Sequence, residues 1–137
     1  MSLPLVTKEK IINYLTLRAP QDPIIEVNGI YPTTDVQISY GVYVTNVYTR
    51  ARDVYQIGVQ YGSSMYTISD EFKILFVSFQ EDPQSPAMES VIQEMAKDSQ
   101  FFDGYYEVTY RRDVVFGGSK SEKYTYTFDI KRLEFNN

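Results

Sequence analysis

Four stretches of this chain alternate apolar and polar side chains with a period of two, which restricts the fold to one built on long, half-buried strands. Val36, Ile38, Tyr40, Val42 and Val44 share one phase against Gln37, Ser39, Gly41, Tyr43 and Thr45. Tyr55, Ile57, Val59 and Tyr61 alternate with Val54, Gln56, Gly58 and Gln60, and Tyr106, Val108, Tyr110, Arg112 and Val114 with Glu107, Thr109, Arg111 and Asp113. The last such stretch, Tyr124 to Phe135, places Tyr124, Tyr126, Phe128 and Ile130 on one face and Thr125, Thr127, Asp129 and Lys131 on the other. Between these, Phe72 to Phe79 is apolar in both phases, as expected for a strand at the middle of a sheet.

Two segments change to a helical period. Thr7 is placed to cap a helix, Glu9 suits its positive end, and Val6 with Ile11 has the spacing of a hydrophobic staple. Ile11, Tyr14 and Leu15 then recur at helical spacing until Pro20 ends the run. The second helix is expected from Ser85 and Pro86 to about Asp98, with Met88, Val91, Ile92 and Met95 as a stripe that packs on the sheet. A short strand is read at Ile24 to Val27, and a turn at Thr49 to Asp53. That turn joins the first two alternating stretches into a long projecting hairpin around residues 36–61, and Gly62, Ser63 and Ser64 break the pattern after it. The sum is a single α+β domain over 1–137: a mainly antiparallel twisted sheet with a short N-terminal helix and one amphipathic helix packed on it.

The composition narrows the chemistry. Histidine, cysteine and tryptophan are absent from the 137 residues, whereas tyrosine occurs 13 times. A catalyst built from this chain has to manage with carboxylates, hydroxyls or lysine, which argues against an enzyme. No cofactor is expected, and no thiolate or imidazole exists to hold zinc, iron or copper. The net charge of -5 disfavours a nucleic-acid backbone as partner. No apolar run is long enough to cross a membrane as a helix, and the start lacks a secretory pattern, so a soluble protein made in a cytoplasm is expected. Tyrosine offers a large, stiff contact area, equally at home in strands and in protein interfaces.

Few residues stand out as a site. The acid pairs Asp70–Glu71 and Glu81–Asp82 lack the spaced ligands and central glycine of a calcium loop. Gly117 and Gly118 precede a strand, which excludes a phosphate loop. Arg50 and Arg52 fall in the expected turn, and of the strand neighbours Arg111 and Arg112 one has to face inward or an interface, and one that points at the core needs a carboxylate. These four arginines are the candidates for a subunit interface.

The order of elements resembles the tail-terminator and tail-completion proteins of tailed bacteriophages. The resemblance is carried by an N-terminal amphipathic helix, a long hairpin, the stretch Asp70-Glu71-Phe72-Lys73-Ile74-Leu75-Phe76-Val77-Ser78-Phe79 feeding the Pro86 to Asp98 helix, and a terminal strand pair. It implies a structural virion protein forming a homo-oligomeric ring, commonly a hexamer, between the tail tube and the neck. Neighbouring neck and tail proteins would be its partners. Two other readings stay open on the residues alone: a small-ligand-binding or cyclase-like domain with a tyrosine-lined pocket, and a tail-tube or adhesin-like interaction protein.

Overall fold

The computed structural model describes residues 3–20, 23–29, 41–56, 64–79, 85–117 and 121–136. Its elements run α1 (Lys8–Arg18), β1 (Ile24–Glu26), β2 (Gly41–Val44), β3 (Tyr48–Gln56), β4 (Ser64–Phe79), α2 (Ser85–Ala96), β5 (Glu107–Gly117) and β6 (Ser121–Asn136). The six strands form one mixed sheet in the order β1-β2-β4-β6-β5, with β3 also paired to β4. Only the β1–β2 pairing is parallel; the others are antiparallel. The α+β class read from the sequence is the class observed.

The helices begin and end for local reasons. Thr7 Oγ1 accepts the Lys10 amide at 3.2 Å, and the Ala19 amide donates to the Leu15 carbonyl at 2.8 Å, closing α1 ahead of Pro20. Val6 and Ile11 are both buried, as the staple spacing requires. In α2, Met88, Ile92 and Met95 are fully buried on the sheet, with Val91 packed beside them. The helix stops at Ala96, and the Asp98 carboxylate then accepts the amides of Gln100 and Phe101, at 3.0 and 3.1 Å. That turn seats Phe102 in the core, where its ring stacks on Phe128.

The β3 region departs from the sequence reading. Thr49 to Asp53 is strand, with a bulge between Ala51 and Asp53 that leaves Arg52 as the extra residue. β2 and β3 both pair with β4, the first along Ile74–Val77 and the second along Ser64–Glu71, and no pairing joins β2 to β3. They behave as one interrupted strand laid along β4, so the hairpin consists of β3 and β4 rather than residues 36–61. Residues 30–40 and 57–63 lie outside the described residues. The interruption has a cause: the Thr45 amide donates to the Lys73 carbonyl at 3.1 Å, while Thr45 Oγ1 accepts the Lys73 amide at 2.8 Å. A side-chain oxygen thus replaces a ladder carbonyl at the one place where β2 gives way to β3.

Alternation sorts the strands into two faces. Val42, Val44, Phe72, Ile74, Phe76, Tyr126, Phe128 and Ile130 meet α1 and α2 in the core. Phe72 and Phe128 are directly paired across β4 and β6 and stack with centroids 4.6 Å apart. The opposite face carries cross-strand polar pairs, Arg50 with Glu71, Ser69 with Asp129, and Lys131 with Glu107. At one end of that second face Leu75 and Val77 are also buried, consistent with a β4 apolar in both phases. β4 has partners on both edges and is the middle strand.

Candidate functional site

Two polar clusters on the helix-bearing face draw the ionisable groups together. The first centres on Asp70, which is in phase with Phe72, Ile74 and Phe76 and therefore points inward. It is wholly buried. Its Oδ2 receives Arg132 Nε at 3.0 Å and the Tyr105 hydroxyl at 2.6 Å, while its Oδ1 receives the Thr49 hydroxyl at 2.6 Å. Thr49 sits directly opposite Asp70 on β3, and Ile130 directly opposite on β6, which puts Arg132 one inward-facing position further along. The guanidinium also reaches Glu134 and the Leu3 carbonyl, each at 3.4 Å. Tyr105 in turn accepts the amides of Leu5 and Val6, both at 3.1 Å.

The network therefore ties residues Leu3–Val6 down over the sheet. Gly104 completes the fit: its φ is +94°, and a Cβ there would lie 2.5 Å from Leu5 Cδ1. Burial, reinforced by the hydrogen bond to Asp70, pushes the Tyr105 phenol far above its ordinary value, so it stays a neutral donor. The partners satisfy one another and present no free acid or base to a substrate. This is the chemistry of a structural anchor.

The second cluster lies between α2 and the β5–β6 half of the sheet. Arg112 Nε pairs with Glu89 at 2.5 Å, and the guanidinium stands 4.7 Å over the Tyr124 ring. Tyr110 and Tyr126 stack with centroids 6.0 Å apart. The Tyr110 hydroxyl is buried without a hydrogen-bonding partner among the described residues, and the Tyr126 hydroxyl lies against the Arg112 guanidinium. Burial first, and then the Glu89 charge, raises the pKa of both phenols.

The four arginines read from the sequence fall in different places. Arg50 lies on the helix-free face, 3.7 Å from Glu71, and Arg52 is the bulge residue of β3. Arg111 is exposed and pairs with Asp113 of its own strand at 3.0 Å. Arg112 is the inward member, and Glu89 supplies the carboxylate that its position demands. Asp70 and Glu71 point to opposite faces and form no acid pair; Glu81 and Asp82 lie outside the described residues. Among the described residues no three His, Cys, Asp or Glu side chains gather as a metal site would, and no helix is long and apolar enough to cross a membrane.

The sequence reading missed the Asp70–Arg132–Tyr105 network. The signal was present in the phase: Asp70 and Arg132 each continue an alternating apolar series, where a charge requires a buried partner.

Open grooves mark the surface among the described residues. One of about 220 Å³ runs between the end of α2 and the start of β5 over Phe102, Tyr105 and Tyr106; another, about 370 Å³, lies between α1 and Phe101. Neither gathers a converging set of reactive groups. Three strands also keep an unpaired side among the described residues: the three-residue β1 and the longer β3 on one side of the sheet, and β5 on the other. No protein-family model matches the chain, and no curated protein is significantly similar to it.

Proposed function

We propose that the chain is a structural subunit that joins copies of itself edge to edge into a closed ring, of the kind found at the tail and neck junction of tailed bacteriophages. The observation that carries this reading is the pair of unlike free edges. β3 is antiparallel to β4, β4 to β6 and β6 to β5, so β3 and β5 run in opposite directions at opposite edges of one sheet. Setting β5 of one copy beside β3 of the next continues the antiparallel alternation without interruption. Such a contact is heterologous, and repeating it by rotation closes a ring.

The chemistry of the edges supports the same reading. β5 pairs with β6 over 11 residues without a register shift, contains no proline, and is long for a strand left open at an edge. The anchors at the buried Asp70 and the partly exposed Arg112 hold the sheet's shape and leave contact, rather than turnover, as the work of the surface.

Native mass measurement and imaging of the purified protein test the reading. A single closed particle over a wide concentration range is expected, and a monomer at every concentration overturns it. Arg50→Glu with Arg52→Glu is expected to lower the particle mass while circular dichroism and melting temperature hold. Unchanged assembly would show those arginines to be a solvated stretch, since exposed ion pairs contribute under about 1 kcal/mol. Loss of folding would place them in the domain's own structure.

A further inference from the structure

The bend after β1 carries the dipeptide Asn28–Gly29, and its surroundings favour a covalent change. We propose that Asn28 is a site of spontaneous deamidation. In this reaction the Gly29 backbone nitrogen, having lost its proton to solvent base, attacks Cγ of Asn28. A bond forms between that nitrogen and Cγ, the Cγ–Nδ2 bond breaks, and the amide leaves as ammonia with a proton from water. Water then opens the resulting succinimide at either carbonyl. The product is aspartate at position 28 or its isomer, whose backbone runs through the former side-chain carbon. Only water is consumed, and no group changes oxidation state.

Three observations single out this position. Asn28 is exposed, so solvent reaches its amide. Gly29 has φ +142°, and nothing lies within 4 Å of where a Cβ would stand, so no side chain obstructs closure of the five-membered ring. Among the described residues the Gly29 amide donates no hydrogen bond, whereas its carbonyl accepts the Asn46 amide at 2.8 Å. The nucleophilic nitrogen is open to base, and the hydrogen bond on the Gly29 carbonyl lies on the following peptide unit, so among the described residues no hydrogen bond holds the Asn28–Gly29 unit away from ring-closing geometry.

Asp103–Gly104 provides an internal comparison. The same ring would close there, but hydroxide rather than an amide would have to leave. That dipeptide also sits between two hydrogen-bonded turns, Asp103 to Gln100 and Tyr105 to Phe102, with the Leu5 side chain against Gly104. Its backbone is locked, and its conversion is the slower one.

The change falls on a crowded set of contacts. The Val27 amide donates to the Val44 carbonyl at 2.9 Å, and Lys8 of α1 reaches both the Val27 carbonyl, at 3.2 Å, and Glu26, at 3.1 Å. Aspartate at position 28 adds a second carboxylate near that lysine. The isomer lengthens the backbone between Val27 and Gly29, both hydrogen-bonded to the segment leaving β2, so the two bonds cannot keep their present spacing. Modification therefore loosens β1, the three-residue strand beside α1.

The test is to hold the intact protein in warm, mildly alkaline buffer and follow the peptide containing Asn28 by mass, charge by isoelectric focusing, and isoaspartate by enzymatic methylation. The expected result is a more acidic species that accumulates faster as pH rises, with the mass change of amide to acid located at Asn28. Asn28→Gln, which would need a six-membered ring, should slow its formation by more than about tenfold. Asn28→Asp should focus with the acidic species from the start. An unmodified Asn28 under these conditions, or an acidic species formed equally fast by Asn28→Gln, overturns the proposal.

Discussion

Truncating Asp70 should cost more than truncating the Arg132 guanidinium it neutralises. Asp70→Ala takes from a guanidinium that is 5% exposed its nearest partner, leaving only the 3.4 Å contacts to Glu134 and the Leu3 carbonyl, and it removes the acceptor from the hydroxyls of Tyr105 and Thr49. A buried charge left without its partner costs about 3–5 kcal/mol. Arg132→Met keeps most of the side-chain volume, and it leaves Asp70 with the two hydroxyl donors at 2.6 Å. The wholly buried carboxylate then lacks its cation but keeps both hydroxyl donors, so the loss falls short of that for Asp70→Ala by what those two hydrogen bonds contribute, about 0.5–1.5 kcal/mol each. With both changes no buried charge remains, so the double variant should lose about 1–3 kcal/mol less than the sum of the singles. Urea unfolding at one protein concentration measures all three, because the differences are large against a typical domain stability of about 5–15 kcal/mol. Equal costs, a reversed order, or strictly additive losses would refute the account of Asp70 as the centre of the network.

Ile92→Ala and Phe76→Ala should each cost about 2–5 kcal/mol in the same assay, since both side chains are buried between helix and sheet. An unchanged midpoint for either would contradict the packing. The phenols of Tyr105 and Tyr126 are held above their ordinary pKa of 10.0 by burial, helped by the hydrogen bond to Asp70 in the first and by the Glu89 charge in the second. Above about pH 10 the unfolded chain loses these protons while the folded chain keeps them, so the stability they support at lower pH falls as pH rises. Tyr126→Phe, which deletes one of these phenols, should make that alkaline fall shallower.

Local chemistry made some elements legible in the sequence. Thr7, Val6 and Ile11 mark the start of α1, and the Met88–Ile92–Met95 stripe marks the buried side of α2, because caps and helical periods act over a few residues. The doubly apolar run at Phe72 identified the middle strand for a similar reason. The Thr49 to Asp53 segment was misread because Arg50, Arg52 and Asp53 have the polarity of a turn, whereas in the sheet they occupy a bulged strand whose partner, β4, lies beyond the next loop. Pairing partners distant in sequence leave no local mark. The anchor at Asp70 was likewise hidden, since Arg132 and Tyr105 approach it only once β6 and the turn after α2 have packed. The phase of Asp70 showed that it needed a partner, but nothing local identified which.

The pairing of β4 with β6 shapes how the chain is made. All 16 residues of β4 pair with β6, from Ser64 with Asn136 to Phe79 with Ser121, and α2 and β5 are synthesised between the two strands. At about 5–20 residues per second, a ribosome leaves one whole edge of β4 open for seconds after the strand itself is complete. During that interval the edge is a template for any extended segment nearby, including the β4 of another nascent chain. Crowded expression, in which many copies are at this stage together, is therefore where the protein is most exposed to mispairing, however stable the finished sheet.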